Sequence, residues 1–131
     1  GIKYFSGVAT YTKEVQLQAP AAGAHVWLDL GVVNNLAEVW VNGKLVGTAW
    51  KPPYRVDITN AIVAGTNRIE IKAVNLWVNR LIGDAQPGVT NKITLTTSNR
   101  QFYRADSALV PSGLIGPVQI LSASNPSAST K

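Results

Sequence analysis

The stretch LAEVWVNGKLVG, residues 36–47, decides the fold class. Ala37, Val39 and Val41 alternate with Glu38 and Trp40, which is the period-two pattern of a strand with one buried face. The pair Asn42-Gly43 follows, and both of its residues tolerate the positive φ angles of a type I′ turn. Residues 44–47 then return as a second strand. The stretch therefore predicts an antiparallel β-hairpin.

Outside this hairpin the same alternation recurs, and no long helical period is visible. Further strands are predicted at Val8–Leu17, Ala24–Leu30, Arg68–Val74, Lys92–Thr97 and Leu114–Ser122. The segment Lys51–Tyr54 holds two adjacent prolines and is predicted as a loop or sheet edge. Residues 57–60 can form one helical turn capped by Asp57 or Thr59, and residues 81–91 are predicted as irregular. Seven or eight short strands predict an all-β, two-sheet antiparallel sandwich or jelly roll.

The 131 residues are 46% hydrophobic, enough for the core of one domain. We assign that domain to residues 1–123. Residues 124–131, rich in Ser, Ala, Pro and Thr, are predicted to be a disordered tail or linker. The first residues lack a signal-peptide pattern, so either a signal has been removed or the chain is a segment of a longer protein, and we expect the second. No apolar run approaches the roughly 20 residues that cross a bilayer, and no membrane association is predicted.

The chain carries a formal net charge of +5, with its basic residues spread thinly along the sequence. This balance favours an acidic glycan such as a uronate-rich polysaccharide, or is simply a solvated basic surface. No basic cluster indicates nucleic acid. Without cysteine and with His25 as the one histidine, thiolate and multi-imidazole metal sites are excluded. No cofactor is predicted, although a structural calcium bound by carbonyl oxygens around Asp29 or Asp106 is left open.

An ordered series of segments resembles a known family: residues 28–31, 37–44, 50–59 and 65–67. They are similar to the galactose-binding-like jelly rolls attached to family 2 glycoside hydrolases. Residues 75–84 and 111–118 further resemble the C-terminal β-sandwich of bacterial α-L-rhamnosidase-like enzymes of glycoside hydrolase family 106. The resemblance spans Tyr4 to Leu121. It implies that the catalytic residues lie on a separate domain, and that this one binds sugar or braces that domain.

Two tryptophans point to carbohydrate. Alternation places Trp27 and Trp40 on the polar faces of their strands. An indole exposed there does not gain the free energy that burial in the core would give it. The C–H face of a sugar ring can lie flat on such an indole while polar side chains reach its hydroxyls. We predict one stacking platform, with the following residues around the two indoles: His25, Asp29, Glu38 and Asn42. Alternatively, the indoles pack on each other or under a loop, or contact the missing enzyme domain.

Further candidates lie in loops. Trp50 and Tyr54 flank the two prolines and are candidates for sugar contact at the sandwich edge, the alternative being that Trp50 plugs the core. Asn79 and Arg80 either line a sugar pocket, dock the catalytic domain or are structural, with Arg80 and Asp84 as an internal ion pair. Trp77 lies an even number of residues from the apolar residues of strand 68–74. In an extended chain it would point to the same side as they do, which predicts that it is in the core.

Catalysis within the chain is not predicted. Glycosidic hydrolysis commonly uses two carboxylates about 5–9.5 Å apart. Only Asp29 and Glu38 are candidates for such a pair, on strands that would have to be neighbours. We therefore predict a non-catalytic carbohydrate-binding module of a larger extracellular or periplasmic hydrolase that degrades plant polysaccharides. Its partners would be an oligo- or polysaccharide and the parent catalytic domain. The alternative is a purely structural accessory domain that packs against the catalytic domain.

Overall fold

A computed structural model describes residues 2–94 and 102–124 of the chain. Within these ranges the elements, in chain order, are a 3-10 turn at Ile2–Tyr4, β1 (Val8–Leu17), β2 (Ala24–Asp29), β3 (Val32–Asn34), β4 (Leu36–Val41), β5 (Lys44–Ala49), β6 (Arg55–Asp57), β7 (Gly65–Val74), α1 (Val78–Asp84), β8 (Gly113–Gly116) and β9 (Gln119–Ser124). The predicted all-β antiparallel sandwich is confirmed. β9 includes the first residue of the predicted tail, and the rest of that tail lies outside the described residues.

The strands form two main sheets. The four-stranded sheet has the order β1-β7-β4-β5 and the three-stranded sheet the order β6-β2-β9, and all of these pairings are antiparallel. β3 and β8 form a separate two-stranded ribbon. The predicted hairpin is confirmed: Val41 pairs with Lys44 across a two-residue turn in which Asn42 and Gly43 both have positive φ.

The inner faces of the two main sheets share one apolar core. Alternate residues of β4 and β7 are buried on one side of it. Val26 and Leu28 of β2 and Val56 of β6 are buried on the other. Because side chains alternate across a strand, the intervening residues lie on the outer faces of the sandwich. The two outer faces point in opposite directions, which decides where any surface site can be built.

The two sides of the sandwich differ. Where β5 meets β6, Gly47 lies so close to Val56 that a Cβ built on the glycine would be 2.8 Å from Cγ1 of the valine. This side is closed. On the other side, β1 and β9 leave a cleft of about 480 Å³ between the sheets. The cleft reaches Leu28 in the core.

Four predictions for the C-terminal half are wrong. The predicted strand Leu114–Ser122 is instead two strands, β8 and β9, which join different sheets. Lys92–Thr94 form no strand, and the remainder of that predicted strand lies outside the described residues. Residues 78–84 form α1, which overlaps the segment predicted as irregular. Trp77 is 60% exposed rather than in the core. The alternation stops at Val74, where Asn75 binds the backbone of Phe5 and Gly7 and turns the chain away from the sheet.

Candidate functional site

The outer face of the three-stranded sheet gathers an aromatic pair and four charged or titratable groups. We call this surface the Trp27 face and define it by His25, Trp27 and Asp29 of β2 with Arg55 and Asp57 of β6. Trp27 pairs with Asp57 in the ladder, and Asp29 pairs with Arg55. The rings of His25 and Trp27 are stacked, with centroids 6.3 Å apart and an interplanar angle of 27°. The indole of Trp27 is 36% exposed.

Both carboxylates of the Trp27 face are held ionised. The backbone N–H of Gly31 donates to Asp29 Oδ1 at 2.9 Å, and Arg55 Nε donates to Oδ2 at 2.7 Å. These contacts lower the pKa of Asp29, in that order of size. The hydroxyl and then the backbone N–H of Thr59 lower the pKa of Asp57, against a smaller effect of burial. His25 Nδ1 lies 3.0 Å from Asp57 Oδ2. The face therefore offers ionised carboxylate oxygens beside an indole surface.

Trp40 lies on the other outer face, so the prediction of one platform with Trp27 is wrong. β4 belongs to the four-stranded sheet and β2 to the three-stranded one. The indole is also covered by its own neighbours: Lys72 Nζ lies 4.2 Å from the ring centroid, and Trp40 Nε1 donates to Glu38 Oε2 at 3.2 Å. Trp40 and Glu38 thus form a separate, internally bonded group.

Two other predicted sugar contacts, Asn42 and Tyr54, are engaged within the fold. The amide nitrogen of Asn42 donates to Asn67 Oδ1 at 2.9 Å and to the carbonyl of Ala61 at 3.1 Å, while its oxygen accepts from the N–H of Arg68. Tyr54 is partly buried against the core. Trp50, by contrast, is 65% exposed, with Lys51 Nζ 5.2 Å from its ring centroid. It does not plug the core.

The polar group around α1 is also internal. Asn79 is 5% exposed, and its side-chain amide pairs with both the N–H and the carbonyl of Val110. Arg80 Nη2 donates to Asp84 Oδ1 at 2.6 Å, which confirms the predicted ion pair. Asp84 Oδ2 accepts from Thr94 through both its N–H and its hydroxyl. Burial alone raises the pKa of Asp84, but these hydrogen bonds and Arg80 together lower it.

The one candidate pair of carboxylates for hydrolysis is not assembled. Asp29 and Glu38 are on different sheets and face opposite directions, so the two carboxylates cannot flank one glycosidic bond. A general acid in such a reaction has a raised pKa, whereas the pKa values of Asp29 and Asp57 on the Trp27 face are both lowered. The chemistry available on this face is hydrogen bonding and stacking.

Sequence reasoning did not include Asp57 or Arg55 in the site. Their strand, β6, is three residues long and follows the proline loop, so it shows too little alternation to be recognised. Within residues 2–94 and 102–124, no group of three His, Cys, Asp or Glu side chains is arranged to hold a metal ion. In the same ranges no helix is long and apolar enough to cross a membrane.

Comparison with known proteins identifies the domain. Residues 5–108 match the family described as the glycosyl hydrolase 2 galactose-binding domain-like family. A curated relative from Formosa agariphila, described as a "Putative beta-glucuronidase", is 41% identical over 92% of this chain and 12% of its own length. The solved rhamnosidase from Novosphingobium sp. PP1Y is 52% identical over 93% of this chain and 11% of that one, with a TM-score of 0.87. The chain thus spans only about an eighth or less of these relatives.

The predicted resemblance to galactose-binding-like sandwiches of glycoside hydrolases is confirmed by the family match and by both relatives. Assignment to family 106 and a position at the C-terminal end of an enzyme stay predictions. The family match covers β1 through α1, and with them the whole Trp27 face. The chain belongs to the glycosyl hydrolase 2 galactose-binding domain-like family.

Proposed function

We propose that this chain is a non-catalytic accessory domain of a larger, secreted glycoside hydrolase and that it binds carbohydrate through the Trp27 face. The observation that carries the proposal is the indole of Trp27, which is exposed on a sheet face beside two ionised carboxylates. A sugar ring stacked on this indole would bring its hydroxyls within reach of Asp29 and Asp57. Carboxylate acceptors give such hydrogen bonds more strength than neutral ones.

The Trp27 face is also largely preorganised. Asp29 is already held by Gly31 and Arg55, and Asp57 by Thr59, before any ligand arrives. The ring of His25 is stacked beside that of Trp27, with the centroids 6.3 Å apart. Little side-chain entropy is then lost on binding, and that loss is a main cost of association. The face carries two carboxylates and one guanidinium, and Arg55 is already paired with Asp29, so its charge favours a neutral glycan over one that contains uronate.

The test is affinity electrophoresis of the isolated chain in gels that contain neutral or acidic polysaccharides, such as xylan, glucuronoxylan and pectin. We expect retardation by at least one of them. Trp27→Ala should weaken that binding about tenfold or more, because a buried aromatic anchor commonly contributes over 1 kcal/mol. Trp40→Ala is the matched control, since it removes an indole from the opposite sheet face, and it should leave binding unchanged.

Two results would contradict the proposal: retardation that Trp27→Ala does not alter, or no retardation across the panel while the chain is folded by circular dichroism. The second result would favour the alternative that this domain is purely structural. A specific observation supports that alternative, namely the apolar cleft between β1 and β9. The two roles use different surfaces and are compatible in one domain.

A further inference from the structure

The cleft between β1 and β9 is a surface that the Trp27 face does not use. We call it the β1–β9 cleft. It measures about 480 Å³ and is lined mainly by aliphatic side chains, namely Val15, Leu28, Ile69, Ile71, Leu114, Val118 and Ile120. Tyr11 and Val118 at its mouth are 43% and 42% exposed. An apolar groove of this size is suited to apolar side chains, whereas sugar hydroxyls would be left without partners there.

Strand edges flank this cleft. In the described residues, β1 pairs only with β7, and β9 pairs only with β2. Each strand therefore presents an outer edge beside the cleft whose N–H and carbonyl groups pair with no other strand of residues 2–94 and 102–124. An extended segment that entered the cleft could bond one of these edges while its side chains filled the aliphatic groove, which is the β-augmentation mode of recognition. On the opposite side of the sandwich, Gly47 packs directly against Val56, so the two sheets are in contact there.

The charge of the cleft argues against a second copy of this chain as the occupant. Among the lining residues the charged one is Lys13, on the edge strand β1. In a two-fold symmetric dimer through this surface, each copy would bring its Lys13 towards the other. A lysine on an edge strand also discourages strand-to-strand pairing with an identical chain. A segment that carries a carboxylate opposite Lys13 would instead be favoured.

We propose that the β1–β9 cleft docks an extended apolar segment with a carboxylate, supplied by the remainder of the same hydrolase polypeptide. The relatives offer ample chain for this, because about nine-tenths of each lies outside the part that matches this domain. The inference rests on the accessory-domain part of the proposed function but not on sugar binding. A tethered segment binds at a high effective concentration, so modest contacts suffice to hold it.

The experiment uses the Novosphingobium rhamnosidase, in which this chain replaces the domain that is 52% identical to it. A photo-crosslinking benzoylphenylalanine is placed at Tyr11 in the cleft, and in a matched control at Val63, which is also exposed but does not line the cleft. We expect the Tyr11 position to crosslink to a peptide from outside this domain in the same polypeptide. The Val63 position should not capture that peptide. Crosslinks from Tyr11 only within the domain, or only between two copies, would overturn the proposal.

A second measurement does not depend on crosslinking. Val118→Glu puts a carboxylate at the mouth of the cleft, where the valine is 42% exposed, so the isolated domain should fold with its melting temperature nearly unchanged. In the chimera the same change should lower the melting temperature by more than in the isolated domain, because only there does it displace a docked segment. Val63→Glu is the control in both proteins. Equal effects of Val118→Glu in the isolated chain and the chimera would refute docking.

If the chimera does not fold, the crosslinker is placed in the unmodified rhamnosidase, at the residues that align with Tyr11 and Val63. The same crosslinking results then support or overturn the proposal. Glycan retardation of the isolated chain is measured separately. Docking without retardation therefore refutes only sugar binding, and retardation without docking refutes only this inference.

Discussion

Gly31 lies so close to Gly116 that a Cβ built on Gly31 would be 2.4 Å from both the carbonyl carbon and the carbonyl oxygen of Gly116. The two residues form a parallel bridge, and Gly31 has a φ of +65°. The contact joins the connection between β2 and β3 to the last residue of β8. It holds the two-stranded β3–β8 ribbon against the three-stranded sheet that carries the Trp27 face.

Gly31→Ala should therefore be strongly destabilising. The alanine would have both an unfavourable positive φ, which costs about 1–2 kcal/mol, and a clash with backbone that cannot rotate away. Gly23→Ala is the matched control, because Gly23 has a φ of +75° but no atom within 4 Å of a built Cβ. We expect Gly31→Ala to lower the free energy of unfolding by at least about 2 kcal/mol more than Gly23→Ala, measured by urea denaturation. Equal losses would mean that the backbone contact relaxes freely.

Asp84 should be the most important carboxylate for stability. It is 4% exposed and bonds both Thr94 and Arg80, so it ties α1 to the loop at residues 93–94. Asp84→Asn leaves the guanidinium of Arg80 without its counter-charge in a mostly buried position. We expect a loss of about 3 kcal/mol in the free energy of unfolding. Asp106→Asn removes a fully solvated pair with Arg104 and should change nothing measurable, so a similar loss in both variants would contradict this assignment.

Below about neutral pH, the free energy of unfolding should depend on the protonation of three aspartates. The folded-state pKa values of Asp29, Asp57 and Asp84 all lie below the ordinary value of 3.8. The unfolded chain therefore binds protons first as the pH falls, and stability that is complete above pH 3.8 is lost as the pH drops through the folded-state values. Urea denaturation from about pH 6 to pH 2 should show this decline. In Asp84→Asn the free energy of unfolding should fall less steeply with decreasing pH. If the steepness did not change, Asp84 would not be one of the aspartates that cause the decline.

The hairpin could be predicted because its information is local. Alternation over residues 36–41 and the pair Asn42-Gly43 determine two strands and the turn without any distant contact. Trp77 shows the limit of the same rule. It has the parity of the buried residues of β7, but parity holds only while the chain remains extended, and Asn75 ends that extension through bonds to Phe5 and Gly7.

The candidate site could not be predicted fully, because alternation does not show which strands pair with each other. Both Trp27 and Trp40 were correctly placed on the polar sides of their strands. Which sheet each strand joins depends on pairings between distant segments, such as β2 with β9 and β4 with β7. These pairings put the two indoles on opposite faces. A further long-range pairing, of β2 with β6, brings Asp57 next to Trp27, although 30 positions separate them in the sequence.

Asn67 should be required for the loop between β6 and β7. It is fully buried, and its side-chain amide bonds the N–H and carbonyl of Val63 and the carbonyl of Gly65. Asn67→Ala leaves these groups without partners, and we expect a loss of about 2–4 kcal/mol in the free energy of unfolding. Asn42→Gly is the comparison, since it keeps the turn conformation and removes the bonds from Asn42, one of them to Asn67 Oδ1, but leaves the bonds from Asn67 to Val63 and Gly65 in place. It should cost less than half as much, and a larger loss than for Asn67→Ala would reverse the roles of the two residues.

The cover that Lys72 provides for Trp40 can be measured as a coupling energy. Lys72 Nζ lies 4.2 Å from the indole centroid, and the lysine is also 3.4 Å from Glu70. A double-mutant cycle with Lys72→Met and Trp40→Leu cancels the contribution of Glu70 and isolates the cation–π contact. We expect a coupling of about 0.5–1 kcal/mol, as for partly exposed pairs. Lys51 and Trp50, 5.2 Å apart with the indole 65% exposed, provide the comparison and should couple more weakly. Absence of coupling would mean that the charge of Lys72 does not stabilise the indole of Trp40.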